Sequence, residues 1–188
     1  PSVSYGRFDQ YMYPFYKKGI EDGTLTPELA MEFIEELYIK TTSNPWFQST
    51  GLAYYFGGYY RYPHVDVGGI DINRRDASNE LSYLCLRAMR YVKTTAPSVS
   101  LLLHQKTPDD LLLEAVKLAA EGMGHPSFFN VESMIGMLEN RTGGLYGKSP
   151  YTIEQILEWG SPIGCVEPGV MGYQYGHTDS CIINVGYA

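Results

Sequence analysis

The sequence predicts an α/β fold in which parallel strands are joined by helical crossovers. Short runs of branched and small apolar residues at positions 65–70, 98–103 and 127–129 read as strands. Helix-start signals fall between them, at Asp76-Ala77-Ser78-Asn79 and at Thr107-Pro108-Asp109-Asp110. Strands and helices alternate at intervals suited to βα units.

Taken in order, residues 9–18 are rich in aromatics at mixed spacing, and Pro14 marks them as a kinked or broken helix. Residues 24–41 form a helix with Thr26 as N-cap, Pro27 at the first helical position and Glu28 at the positive end. Ala30, Phe33, Ile34 and Leu37 are its expected buried stripe. Residues 44–64 are Gly- and Tyr-rich and irregular, and 65–70 is a short strand. The helix starting at Asp76-Ala77-Ser78-Asn79 carries Leu81, Leu84, Cys85 and Ala88 on one face. After the strand at 98–103, Thr107-Pro108 repeats the cap chemistry of the second helix and launches 111–121, which Gly122 and Gly124 end. A strand at 127–129 precedes a helix at 131–140. Thr152 caps a last helix to Trp159, and residues 160–166 run into a turn at Cys165.

At 188 residues the chain is long enough for one domain with a real core. A formal charge of −7 and the lack of any Lys/Arg cluster argue against a nucleic-acid surface. No apolar run approaches the roughly 20 residues of a membrane span, and no signal peptide opens the chain. Cys85, Cys165 and Cys181 are odd in number with no close pair, which suits a reducing cytoplasm and lacks zinc spacing. The histidines lack ligand spacing too, so no metal is expected. His64 and His125 sit beside prolines in loops, and His104 ends an apolar strand as a satisfied core residue. The chain opens on Pro1 and closes on an apolar stretch at 182–188; both ends read as cuts through a larger fold.

The informative stretch is Gly164-Cys165-Val166-Glu167-Pro168-Gly169. In an extended segment alternate residues point to one side, so Cys165 and Glu167 can reach one pocket. Pro168 and Gly169 are expected to stop the strand and favour a loop. A carboxylate beside a thiol raises the thiol pKa, which is poor design for a thiolate nucleophile. It suits hydrogen-atom transfer better, because that needs a neutral S–H with an acid/base nearby. The bland alternative makes Cys165 a buried small hydrophobe and Glu167 a solvated loop carboxylate.

Ser4-Tyr5-Gly6-Arg7-Phe8-Asp9-Gln10-Tyr11 with Tyr13-Pro14-Phe15-Tyr16, then Asp76-Ala77-Ser78-Asn79-Glu80-Leu81-Ser82-Tyr83-Leu84, then Pro97-Ser98-Val99-Ser100, Thr107-Pro108 and Pro126-Ser127-Phe128-Phe129-Asn130, lead in order to Gly-Cys-Val-Glu-Pro. Over essentially the whole chain this resembles the glycyl radical enzymes of the pyruvate formate-lyase superfamily. The resemblance implies a ten-stranded α/β barrel in which two finger loops meet, one carrying the cysteine and one a glycine. Residues 1–188 would be an internal segment of that barrel, ending just after the cysteine finger loop, with the glycyl radical domain absent. Asn184-Val185-Gly186-Tyr187 superficially matches the family's Arg-Val-x-Gly-Tyr loop, but it lacks the arginine and follows Cys165 too closely. An activating enzyme holding an iron–sulfur cluster and S-adenosylmethionine makes the glycyl radical, so this chain itself needs no metal. Expected partners are the remainder of the polypeptide, that activating enzyme and a small-molecule substrate, with a small subunit and a homo-oligomer as further candidates.

The resemblance assigns the thiyl radical to Cys165 and an acid, base or hydrogen-bonding role to Glu167. Pyruvate formate-lyase itself uses two adjacent cysteines, and Cys165 lies between Gly164 and Val166, so that chemistry is excluded. His177 and Asp179 stand near the His-Asp pair of the diol dehydratases, but those enzymes carry a histidine where this chain has Pro1. A serine of the opening region holds the substrate carboxylate in the family's arylacetate decarboxylases, which points to Ser2, or to Ser4. The aromatic stretch 171–177 and the Tyr-rich opening suit an aryl substrate. The expectation is therefore radical decarboxylation of an arylacetate such as 4-hydroxyphenylacetate. The alternatives are radical dehydration or C–N cleavage of a diol, choline or hydroxyproline, and a radical-incompetent structural domain.

Overall fold

The computed structural model describes residues 4–43, 50–55, 63–140, 149–164 and 167–173. In chain order the described elements are α1 (Phe8–Glu21), α2 (Pro27–Ser43), α3 (Thr50–Tyr55), β1 (His64–Gly68), α4 (Glu80–Val92), β2 (Ser98–Leu103), α5 (Asp109–Ala120), β3 (Ser127–Asn130), α6 (Val131–Asn140), α7 (Ile153–Trp159), β4 (Gly160–Ile163) and β5 (Glu167–Val170). β1, β2 and β3 form a parallel sheet in that order, and β4 pairs with β5 antiparallel. α4 and α5 are the crossovers, so the α/β expectation holds.

Parallel strands are buried on both faces, and every residue of β1 is buried. Val65, Val67, Val99 and Leu101 face a core completed by Ile34, Tyr38, Leu81, Cys85 and Leu111 from the helices. Alternate positions on β1 and β2 turn the other way: His64, Asp66 and Ser100 are buried polar residues, and Leu102 joins Ile70, Val131, Ile135, Ile156 and Val170 in a second core. The opening segment lies beside β1. Tyr5 and Gly6 donate their N–H groups to the His64 carbonyl, and Asp66 N–H donates to the Gly6 carbonyl at 2.8 Å.

Asp9 ties three elements together. Its carboxylate accepts the Gly68 N–H at 2.7 Å, the Ser82 hydroxyl at 2.5 Å and the Gln10 amide at 3.0 Å. Its carbonyl accepts from the Asn79 side chain, whose Oδ1 in turn caps α4 through Leu81 N–H. Full burial pushes the Asp9 carboxyl up to about 6, against the pull of the Ser82 and Gly68 hydrogen bonds.

Several sequence expectations need correction. Of the kinked or broken helix expected at Pro14, the break does not occur: α1 runs on through Pro14, whose missing N–H costs one intrahelical bond without ending the helix. On α2 the buried positions are Ala30, Ile34, Tyr38 and Thr41, while Phe33 is 55% exposed. α2 packs on α4 along a stripe of spacing four, which leaves Phe33 at its edge. The start of α5 does not repeat that of α2. The Thr107 hydroxyl accepts the His104 N–H at 2.9 Å, closing the turn after β2, and Pro108 takes the N-cap position with no side-chain bond. A short helix, α3, lies in the stretch read as irregular.

Candidate active site

The site is organised by the β4–β5 hairpin. Its register opposes Ser161 to Gly169, Pro162 to Pro168 and Ile163 to Glu167. Antiparallel pairs alternate between hydrogen-bonded and non-hydrogen-bonded positions. Opposing the two prolines places both at a non-bonded pair, where neither needs an N–H. Pro168 and Gly169 therefore lie within the strand, contrary to the expectation that they stop it. Gly164, at φ +65°, begins the reversal in a conformation glycine adopts without strain. Cys165 and Val166 fall between the paired Ile163 and Glu167 and lie outside the described residues.

The same register sorts side chains by face. Ser161, Ile163, Glu167 and Gly169 share one face, and Pro162 and Pro168 the other. Glu167 is half-buried. Ser161 is fully buried and donates its hydroxyl to Asp66 Oδ2 on β1. Glu167 thus stands one pleat from Ser161, on the face that looks at the polar side of the parallel sheet.

Three contacts fix the base of the hairpin. Besides Ser161 to Asp66, the buried Arg7 guanidinium donates to the Leu157 and Glu158 carbonyls at 2.8 and 3.1 Å, at the end of α7, and to the Gly68 and Ile70 carbonyls at 3.1 and 2.9 Å, at and just past the end of β1. One planar fork therefore joins the helix leading into β4 to the strand it packs against. At the exit of β5, Met171 N–H donates to the Trp159 carbonyl at 2.9 Å, and the Met171 sulfur accepts the Arg7 N–H at 3.2 Å.

Beneath the hairpin lies a buried polar row. Ser100 Oγ is 2.9 Å from His64 Nδ1, which is 3.4 Å from Asp66 Oδ1. That Asp66 oxygen is buried and, among the described residues, without a hydrogen bond. A second pair, His104 and Asp76, sits past the carboxyl ends of β2 and β1: His104 Nε2 lies 2.9 Å from Asp76 Oδ1, and its Nδ1 accepts the Lys106 N–H at 3.2 Å. Both ring nitrogens are engaged, so His104 is the satisfied residue the sequence suggested. His64, read as a loop residue, instead opens β1 and is buried.

Of the expected site residues, Glu167 and Ser4 are described. Ser4 Oγ accepts the His64 N–H at 3.1 Å, which anchors the opening segment to β1. Cys165, Ser2, His177 and Asp179 lie outside the described residues, as does Cys181. Among the described residues no three His, Cys, Asp or Glu side chains are grouped to hold a metal, and no helix is long and apolar enough to cross a membrane. Sequence reasoning missed Arg7, Asp66, Ser161 and Met171 as supports of the hairpin. The legible signal was an aspartate inside the otherwise apolar run of β1.

Residues 1–188 match the family model described as pyruvate formate lyase-like. Over 97% of its length the chain is 31% identical to the (2S)-3-sulfopropanediol dehydratase of Klebsiella oxytoca, covering 21% of that protein. It is 31% identical over 88% of its length to the 4-hydroxyphenylacetate decarboxylase glycyl radical subunit of Clostridium scatologenes, covering 18% of that subunit. The glycerol-bound B12-independent glycerol dehydratase of Clostridium butyricum superposes with a TM-score of 0.80 at 37% identity, over 90% of this chain and 20% of that one. The chain thus spans about a fifth of the length of the relatives it matches.

Proposed function

This chain belongs to the pyruvate formate lyase-like family of glycyl radical enzymes, and on that premise we propose that it forms the cysteine-bearing part of the barrel of a radical lyase. The observation that supports this most is the β4–β5 hairpin, whose Ile163–Glu167 pairing brackets Gly164-Cys165-Val166 and turns Glu167 toward the buried polar face of the sheet. A glycyl radical from outside this segment supplies one act, removal of the hydrogen atom from the Cys165 S–H. The residues here suit that role, since a carboxylate on the same hairpin keeps the thiol protonated until the atom leaves.

In this reading the Cys165 sulfur takes a hydrogen atom from a substrate C–H bond, a group departs from the neighbouring carbon, and the product radical regains a hydrogen atom from the thiol. Glu167 transfers the proton that the departure requires. We place elimination of water ahead of loss of carbon dioxide, because dehydratases stand among the relatives at 31% and 37% identity. The arylacetate decarboxylase reading remains the second, supported by the 31% identical decarboxylase subunit and by the Pro1 position. There Glu167 would contact the substrate carboxylate, aided by Ser2 or Ser4, and Asp179 would have no proton to move. The activating enzyme and the remaining polypeptide are the partners this function requires.

The test uses the full-length polypeptide carrying this chain, activated anaerobically. Cys165→Ser should leave the glycyl electron paramagnetic resonance signal intact and abolish turnover, because an alcohol O–H bond is too strong for the glycyl radical to break. Turnover by Cys165→Ser with a normal radical signal would remove the assignment.

A further inference from the structure

We propose that Asp66 and Ser161 are positioning residues for the proposed site, holding the β4–β5 hairpin that carries Glu167 at a fixed height over the parallel sheet; the inference rests on the function proposed above. β1 and β4 belong to different sheets. No backbone ladder sets their separation, so side chains must. The Ser161 hydroxyl reaches Asp66 Oδ2, and both residues are 0% exposed. Ser161 is directly opposed to Gly169 and stands two residues before Ile163, the partner of Glu167. A shift of Ser161 against Asp66 is therefore passed along a four-residue strand to the carboxylate.

The cost of Asp66 argues for such a role. It sits between Val65 and Val67 in a fully buried strand, and among the described residues its Oδ1 has no hydrogen bond, with His64 Nδ1 standing 3.4 Å away. A buried polar atom left unpaired destabilises a fold, and an apolar side chain would be cheaper there. Residues that break a local rule without stabilising the fold mark places where geometry serves something else. Gly169 fits the same logic, since an absent side chain opposite Ser161 leaves its hydroxyl free to turn to β1.

The experiment measures kcat, KM, glycyl radical yield and thermal midpoint for Ser161→Ala, Asp66→Ala, Asp66→Asn and the double variant Asp66→Ala/Ser161→Ala in the activated full-length polypeptide. Ser161→Ala should lower kcat at least tenfold, with KM within twofold and radical yield unchanged. Asp66→Ala should match it, Asp66→Asn should recover most of that loss because an amide oxygen still accepts the hydroxyl, and the double variant should be no worse than either single. A merely structural contact would lower the thermal midpoint and leave kcat of the folded fraction alone. Parent-like kcat in Ser161→Ala would overturn the inference, as would a loss carried by KM alone. The function proposed above fails separately, if Cys165→Ser turns over.

Discussion

Met171 lies directly over Gly6: a β-carbon built at position 6 would fall 2.0 Å from the Met171 sulfur. The contact joins the exit of β5 to the opening segment, and Gly6 also bridges to Val65 at φ +62°. An alanine there meets two obstacles. The left-handed conformation costs about 1–2 kcal/mol for a residue with a β-carbon, and displacing a packed thioether adds about 1–3 kcal/mol. Gly6→Ala should therefore destabilise by about 2–5 kcal/mol in denaturant unfolding. Met171→Ala relieves only the overlap, so the double variant should be less destabilised than the sum of the singles. Strict additivity would show that the thioether is not the obstacle.

The buried Asp9 carboxyl gives a pH dependence with a definite sign. Its value in the fold is about 6 against an ordinary 3.8. Between these values the folded state holds a proton that the unfolded chain has released, so this group adds stability as pH falls through the window. The span corresponds to about 3 kcal/mol. Glu80, Glu114 and Glu121 shift downward from 4.5, and Asp71 from 3.8, so their contributions are lost only as pH falls below those values. Asp9→Asn should remove the rise between pH 6 and 4.5, read as the difference between its unfolding curves and the parent's. An unchanged pH slope would show that Asp9 titrates normally.

The elements were largely legible because periodicity and capping are local. Residues 98–103 and 131–140 were bounded as found, and the face of α4 was read correctly through Leu81, Leu84, Cys85 and Ala88. The errors came where partners decide. Phe33 was misplaced because the width of the α2 stripe depends on α4, and Thr107 because its hydroxyl closes a turn instead of capping a helix. Pro168 reads as a strand breaker until Pro162 is seen opposite it. The site was half legible for the same reason. Gly-Cys-Val-Glu announces itself in sequence, whereas Arg7 and Ser161 act through carbonyls and a carboxylate some 60 to 150 positions away.

Cys85 is a control for the role proposed for Cys165. It is fully buried on α4, and burial, with the nearby Asp9 charge adding, pushes its thiol well above the ordinary range. In the native state it should resist thiol reagents, and Cys85→Ala should cost about 1–2 kcal/mol of stability while keeping turnover. Labelling of Cys85 at the rate of an exposed thiol, or a turnover loss like that of Cys165→Ser at normal radical yield, would contradict its role as packing.

Glu167 and Asp179 together separate elimination from decarboxylation. Elimination of water from a diol must deliver a proton to the departing hydroxyl and accept one from the hydroxyl that remains, so it needs two placed acid/base groups. Glutamine and asparagine keep the shape of these side chains but can neither take up nor release the proton. Under the proposed elimination, Glu167→Gln and Asp179→Asn should each lose about 10²-fold or more in kcat, the usual span of general acid–base catalysis being about 10²–10⁴. Decarboxylation asks for a carboxylate clamp beside the thiol and no second base, so Asp179→Asn would then keep substantial activity while Glu167→Gln is impaired. Substrate identity gives the independent axis. Propane-1,2-diol, glycerol, trans-4-hydroxyproline, choline and arylacetates are offered to the activated parent, and aldehyde, dehydrated imino acid, trimethylamine and carbon dioxide are followed. Aldehyde or dehydrated product that both variants abolish is the expected result. Carbon dioxide from an arylacetate, with Asp179→Asn near the parent rate, would instead establish the second reading and leave Cys165 in its role.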